Sequence, residues 1–123
     1  MNPKSSNQST GKTGERIGED FLKKRGYEIL ERNARSPFGE IDLVAKHKKT
    51  LVFVEIKTRQ GTDFGLPEEA VTERKKFRLG RLASWYLAHY FGDQDLPVRF
   101  DVLAIQLGGA RPDIRLIQNA FEF

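Results

Sequence analysis

The stretch GEIDLVAKHKKTLVFVEIKTR, residues 39–59, decides the fold of this chain. Apolar and polar side chains alternate on both sides of a short polar segment at residues 47–49, which is the pattern of two strands joined as a β-hairpin. We predict strands over residues 38–46 and 50–58, and the second is rich in β-branched and aromatic side chains. The hairpin is therefore expected to form the centre of a sheet.

The predicted register of this hairpin brings two carboxylates together. If residues 47–50 form the turn, Asp42 faces Glu55, and Glu40 faces Lys57 on the same side of the sheet. The opposite side is apolar and consists of Ile41, Leu43, Val52, Val54 and Ile56. Because two buried carboxylates repel each other, a cation should compensate them. Lys57 and a hard divalent ion such as Mg²⁺ or Mn²⁺ are both candidates.

Composition excludes several classes of protein. The chain has 123 residues, enough for one hydrophobic core but not for two, and it contains no cysteine for disulfides, thiolate metal sites or thiol catalysis. Its longest apolar runs are four residues, whereas a membrane span needs roughly 20, and residues 1–13 lack the apolar segment of a secretion signal. We therefore expect a cytoplasmic protein. A net charge of +4 is compatible with a nucleic-acid partner.

The rest of the chain predicts an α/β fold. Residues 1–13 are polar and are expected to form a disordered tail, which leaves residues 14–123 as a single domain. Helices are predicted over residues 14–25 and 67–90, further strands over residues 27–33, 98–107 and 113–121, and a loop over residues 59–66. The order α-β-β-β-α-β-β predicts a mixed central sheet of about five strands flanked by helices.

The spacing of Asp42, twelve further residues, and then Glu55-x-Lys57 on a hairpin resembles the PD-(D/E)xK nuclease core. The whole chain resembles the bacterial YraN-like family, predicted endonucleases of the restriction-endonuclease-like fold, which in turn are similar to archaeal Holliday-junction resolvases. One departure from this family is Gly18, where relatives usually carry a residue such as Ala. Further blocks that carry the resemblance are Gly14-Glu15, Gly26-Tyr27, Asn33-x-Arg35, Glu69-Ala70-Val71-Thr72 with Lys75, Arg99-Phe100-Asp101-Val102 and Asn119-Ala120-Phe121.

This resemblance implies a metal-dependent nuclease that hydrolyses phosphodiester bonds of DNA, including branched or junction DNA, and that forms a homodimer. Carried over by position, Asp42 and Glu55 are the ligands of Mg²⁺ or Mn²⁺, and Lys57 is the catalytic lysine. Glu15, on the first helix, corresponds to the additional carboxylate that resolvases place near the metal. The metal would polarise the phosphate, and Lys57 would hold the attacking water or stabilise developing charge.

A dense basic cluster on the second predicted helix suggests how DNA would be held. It consists of Arg74, Lys75, Lys76, Arg78 and Arg81. We expect phosphate contacts from Lys75, Lys76 and Arg78, together with Arg59 after the catalytic strand. The alternative for such a charge run is a solvated helix face.

Other interpretations of these residues stay open at this stage. Asp42, Glu55 and Lys57 would also suit a structural network of buried ion pairs, in which Glu40 pairs with Lys57. We expect Glu19 at the surface, a structural salt bridge between Arg99 and Asp101, and core or interface roles for Trp85, Tyr86 and Tyr90. His47 and His89 have no partner in sequence, so we expect them to be structural or solvent-facing. The alternative functions are a nucleic-acid-binding module with little or no turnover, and an interaction protein with an acidic partner.

Overall fold

The computed structural model describes residues 3–60, 72–92 and 94–121. Within these ranges, two helices and five strands follow the predicted order. The helices are α1 (Pro3–Lys24) and α2 (Glu73–Tyr90), and the strands are β1 (Tyr27–Ser36), β2 (Gly39–His47), β3 (Thr50–Gln60), β4 (Val98–Leu107) and β5 (Asp113–Ile117).

The five strands form one mixed sheet in the order β1-β2-β3-β4-β5. All neighbours are antiparallel except β3 and β4, which run parallel. A parallel neighbour requires a crossover, and α2 provides it between β3 and β4. The predicted α/β fold with a mixed five-stranded sheet flanked by helices is confirmed, and it is consistent with a nuclease-like core.

Each face of the sheet is covered by one helix. On the α1 face, Leu22 packs with residues such as Val54 and Leu103. On the α2 face, Phe53 stacks on Phe100 at 5.2 Å between ring centroids and contacts Tyr86 edge-on at 5.6 Å. Strand β3 is therefore buried on both sides, and a charge on it is largely withdrawn from water.

Helix α1 approaches the sheet closely because two of its residues lack a side chain. A Cβ atom on Gly18 would lie 2.9 Å from a terminal methyl of Leu103, and one on Gly14 would overlap the side chain of Thr58 on β3. The absence of a side chain at Gly18 therefore has a packing reason. This close approach also brings the neighbouring Glu15 towards the end of β3.

The ends of the helices differ from the sequence prediction. Helix α1 begins at Pro3, so the backbone of residues 3–13, predicted as a disordered tail, continues the helix. Proline is favoured in a first helical turn, and residues 4–13 contain no further proline to break the helix. The first two residues of that tail lie outside the described residues, and the division of the chain into a tail and one domain stays a prediction.

Helix α2 begins at Glu73 and not at Pro67. Thr72 is extended, with φ −87° and ψ 165°, and its side chain accepts a hydrogen bond from the backbone N–H of Lys75. This N-cap sets the helix start. Residues 61–71, which hold most of the predicted loop and the predicted helix start, lie outside the described residues. Within the described ranges, neither helix has the length and apolar content needed to cross a membrane.

Two strand ends also differ from the prediction. Arg59 and Gln60, expected in a loop, belong to β3 because they continue its pairing with β4. Strand β5 stops at Ile117 and does not extend to residue 121. The cause is Asn119, which has φ +52° and donates its backbone N–H to Asp101, so the chain turns there.

Candidate active site

The pairing of β2 with β3 stops next to Asp42. The register is as predicted up to Leu43, which pairs with Val54. One residue further, Asp42 Oδ2 accepts a hydrogen bond of 2.7 Å from the backbone N–H of Ile56. A carboxylate thus takes the place of the backbone carbonyl that would continue the antiparallel ladder. The site therefore begins where a side chain ends the hairpin.

The end of this ladder corrects two sequence predictions. Ile41, expected on the same face as Leu43, packs in the α2 cluster, because alternation across the sheet is not maintained through Asp42. Glu40, expected opposite Lys57, pairs instead with Arg35 on β1, with Nε and Oε2 3.6 Å apart. Once β2 no longer pairs with β3, its remaining residues follow β1.

Three carboxylates interact electrostatically at this end of the sheet. Burial is the main cause that raises the pKa of Asp42 from 3.8 to about 6. The negative charges of Glu55 and Glu15 raise this pKa further, whereas the hydrogen bond from Ile56 and the charge of Lys57 lower it. Asp42 is thus a partly buried acid whose negative charge is repelled by those of Glu55 and Glu15. Such an arrangement favours a bound cation.

Glu55 is held by two lysines. Its Oε1 lies 2.7 Å from Lys75 Nζ and 3.9 Å from Lys57 Nζ. Glu55 and Lys75 are only 16% and 17% exposed, whereas Lys57 is 38% exposed. The sequence suggested Lys75 as a phosphate contact and missed this ion pair. A signal was present, because Lys75 lies on the same helical face as the buried Leu79 and Leu82 and must therefore point towards the sheet.

The other basic residues proposed for DNA contacts surround the same end of the sheet. Lys76 pairs with Glu73 at 3.0 Å. The guanidinium of Arg78 occupies the space that a Cβ on Gly39 would need, and Gly39 has φ +125°, which glycine tolerates. Arg59 is partly exposed on β3 and, by alternation, lies on the same face as Lys57. Lys75 and Lys76 thus each form an ion pair with an acidic neighbour.

The oxygen atoms of the candidate site match the ligand preference of a hard cation. Asp42, Glu55 and Glu15 offer only oxygen atoms, which suits Mg²⁺ or Mn²⁺. Over the described ranges, no three acidic or histidine side chains are grouped closely enough to hold a metal ion by themselves. Mg²⁺, however, often uses one or two carboxylates and completes its shell with water and substrate phosphate. Asp42 and Glu55 therefore fit a cation that binds together with substrate.

Residues on the α1 face form a separate structural network. Arg99 Nε binds Asp101 Oδ1 at 2.9 Å, and the hydroxyl of Tyr27 donates to Asp101 Oδ2 at 2.8 Å. The predicted salt bridge is thus confirmed. His47 has a structural role, one of the two expected, since it stacks on Tyr27 and its Nδ1 lies 3.1 Å from Arg99 Nη2. Asp101 pairs with Val54, so this network and Glu55 lie on opposite faces of the sheet.

The remaining predictions concern Glu19 and the aromatic residues near the C-terminal end of α2. Glu19, expected at the surface, is largely buried because its carboxylate lies 2.7 Å from the guanidinium of Arg32 on β1. Tyr86 is in the core, as expected, whereas Tyr90 is 54% exposed. Trp85 stacks on His89, with ring centroids 4.7 Å apart, so this histidine also has a partner.

Comparison with known proteins places the chain in a family. The profile described as "Uncharacterised protein family UPF0102" matches residues 14–105. A UPF0102 protein of Symbiobacterium thermophilum is 51% identical over 112 residues, covering 90% of this chain and 94% of that protein. A UPF0102 protein of Geotalea daltonii is 46% identical over 120 residues, covering 97% of this chain and 94% of the relative.

A solved structure is also similar, but distantly. It is that of Pyrococcus furiosus SfsA in complex with Ca²⁺, with a TM-score of 0.36 and 14% identity, covering 91% of this chain and 62% of that one. The relatives and the matching profile, which spans both β2 and β3, are decisive: the chain belongs to uncharacterised protein family UPF0102, the YraN-like family.

Proposed function

We propose that this protein is a metal-dependent nuclease that hydrolyses phosphodiester bonds of DNA, with branched or junction DNA as its substrate. The observation that carries the proposal is the meeting of Asp42, Glu55 and Lys57 where the β2–β3 ladder ends, with the charge of Glu15 acting on the same carboxylate. A buried acid with a raised pKa beside further acids and a lysine is typical of a catalytic centre.

Asp42 and Glu55 would hold Mg²⁺ or Mn²⁺, with Glu15 as a third acid nearby. When bound, such an ion supplies Lewis-acid stabilisation of a phosphoryl oxygen and makes water a stronger nucleophile. The hydrogen bond from Ile56 orients Asp42, so that one of its oxygens is fixed before substrate arrives. That orientation reduces the entropy that would otherwise be lost when the site assembles.

The position of Lys57 supports a role in acting on the phosphate. Its ammonium lies 3.9 Å from Glu55 and its side chain is 38% exposed, so it is anchored near the acids and still accessible. It would stabilise charge that develops on the phosphate, or orient the attacking water by hydrogen bonding. Lys75, in contrast, is less exposed, and at 2.7 Å it is the nearer of the two lysines that neutralise Glu55.

The test is a cleavage assay with labelled four-way-junction, flap, single-stranded and linear duplex DNA, in Mg²⁺, Mn²⁺ or EDTA. We expect cleavage by the wild type with either metal and its loss in Asp42→Asn and Lys57→Ala. Glu40→Gln is the matched control, because it removes an acid two residues from Asp42 that pairs only with Arg35 among the described residues. Cleavage that persists in Asp42→Asn or in EDTA would contradict the proposal.

A nucleic-acid-binding module without turnover is the second candidate. The observation that favours it is the ion pair of Lys75 with Glu55, which already occupies an oxygen that a metal would need. The same assay separates the two functions, since a module would shift DNA in EDTA and leave it intact in Mg²⁺. Sedimentation velocity would test the homodimer that we propose from the family resemblance. Cell fractionation would test the cytoplasmic location that we propose from the composition.

A further inference from the structure

The outer side of α2 carries an open groove that the candidate active site does not use. Its volume is about 930 Å³, compared with about 420 Å³ for the pocket at Tyr27 and His47. We call it the α2 groove, and its principal lining residues are Phe38, Lys76, Phe77, Arg81 and Trp85.

Phe77 is the unusual residue of this groove. It is 69% exposed, more than any other large hydrophobic side chain among the described residues. Folding does not require it there, because the opposite side of α2 already covers the sheet through Leu79, Leu82 and Tyr86. An exposed aromatic ring in a groove is a typical mark of a binding surface.

Cationic side chains accompany the aromatic rings. The guanidinium carbon of Arg81 lies 5.0 Å from the ring centroid of Phe38 and 5.6 Å from that of Phe77. Helix α2 contains five basic residues and one acidic residue, a formal charge of +4, which equals the net charge of the whole chain. A second copy of this face would place like charges together, whereas a polyanion is attracted.

The α2 groove begins beside the candidate active site. Lys76, in its lining, directly follows Lys75, which binds Glu55. Phe38, at the same end, directly precedes Gly39, against which Arg78 lies. A strand cut near Glu55 would therefore reach the groove without leaving the basic surface.

We propose that the α2 groove binds unpaired bases of a nucleic-acid strand, with Phe77 as the stacking surface and Arg81 and Lys76 next to the phosphates. Aromatic rings interleaved with basic side chains are the usual means of holding single strands. The inference rests on the proposed function and deepens it, because it names DNA with a single-stranded segment beside the cleavage site as the substrate class.

Binding is tested in EDTA, so that cleavage plays no part. Fluorescence anisotropy would compare a labelled oligothymidylate with an abasic oligonucleotide of equal length, which has the phosphates without the bases. We expect Phe77→Ala to weaken oligothymidylate binding by about fivefold or more and to leave abasic binding unchanged. Phe77→Tyr should restore the affinity. Leu30→Ala, which truncates another exposed apolar side chain on β1, is the matched control and should have no effect.

Trp85 gives a second readout, because it is the single tryptophan of the chain and lines the groove. Oligothymidylate should quench its fluorescence in the wild type and less in Phe77→Ala. Equal affinity for the two oligonucleotides would overturn the inference. So would a wild-type dimer that Phe77→Ala converts to a monomer, since the groove would then be a self-interface.

The two proposals fail in different ways. If the protein cleaves DNA but binds it independently of Phe77, the inference is wrong and the nuclease proposal stands. If binding depends on Phe77 and on the bases, but no metal supports cleavage, the inference stands and the nuclease proposal is wrong.

Discussion

Asp42 is subject to two opposing influences. Its hydrogen bond from Ile56 and the charge of Lys57 favour the carboxylate form, whereas burial and the charges of Glu55 and Glu15 oppose it. The influences that oppose ionisation are the stronger, because the pKa of Asp42 rises to about 6. The charged side chain is therefore retained at neutral pH at a cost in stability, which is expected of a functional acid.

The first prediction concerns Asp42→Asn in metal-free buffer. Because the pKa of Asp42 is raised, the folded state binds the proton more tightly than the unfolded state. The stability that protonated Asp42 contributes is therefore fully present below about pH 4 and is lost as the pH rises through about 6. We expect Asp42→Asn to increase the free energy of unfolding at pH 8 by on the order of 2 kcal/mol. The gain should shrink towards zero at pH 4. Urea unfolding at both pH values measures it, and a less stable variant at pH 8 would contradict it.

The second prediction concerns the ion pair of Lys75 with Glu55. Removing the lysine leaves a largely buried carboxylate with only the more distant Lys57, so we expect Lys75→Ala to cost about 1–3 kcal/mol of unfolding free energy. Lys76→Ala is the matched control, because its partner Glu73 is 91% exposed and such a pair contributes about 0–1 kcal/mol. Equal effects of the two substitutions in urea unfolding would show that burial of Glu55 does not matter.

Helix α1 depends on small residues for its position on the sheet. Gly14 and Gly18 lie one helical turn apart and face Thr58 and Leu103, so the helix axis can approach the strands. Glu15 is carried to the active-site end by this packing, although it lies far from Asp42 in sequence. The packing of α1 on the sheet thus determines whether Glu15, the third acid, takes part in the site at Asp42.

The third prediction follows from that packing. In Gly14→Ala the new Cβ would overlap the branched side chain of Thr58, so the helix must shift, and overpacking of this kind costs about 1–3 kcal/mol. Gly11→Ala is the control on the same helix. Nothing lies within 4 Å of its new Cβ, and helix propensity should stabilise it by up to about 1 kcal/mol. Thermal unfolding distinguishes the two, and the prediction is wrong if Gly14→Ala is also stabilising.

The buried network of Asp101 and the site residue Glu55 lie on opposite faces of the sheet. On the α1 face, Asp101 is almost completely buried and binds groups of three residues. Arg99 neutralises it from the same strand, Tyr27 donates from β1, and the backbone of Asn119 donates from the turn after β5. This network joins the first strand, the fourth strand and the C-terminal turn.

The fourth prediction concerns this network. Arg99→Leu leaves the buried charge of Asp101 without its cation, so we expect a loss of about 3–5 kcal/mol in unfolding free energy. The double variant with Asp101→Leu should lose less, because the uncompensated charge is gone. Neither change touches Glu55, which faces the other helix, so any cleavage activity of the folded protein should persist. Urea unfolding and the junction assay together check both statements.

Much of the fold could be predicted from local patterns. Alternation along residues 39–59 specified the hairpin register as far as Leu43, because a shift by one residue would expose the apolar face. The order of elements specified the mixed sheet, since a helix between two strands permits a parallel neighbour. The spacing of Asp42, Glu55 and Lys57 identified the candidate site, because these residues lie on one hairpin.

Other features depended on how separate elements pack. Lys75 is twenty residues from Glu55, and only the placement of α2 on the sheet brings their side chains together. The face of Ile41 changed because a side-chain hydrogen bond from Asp42 ends the ladder, which periodicity cannot indicate. Short-range periodicity specifies which side of an element is buried. Contacts between elements depend on helix position and side-chain geometry, and these only the tertiary structure decided.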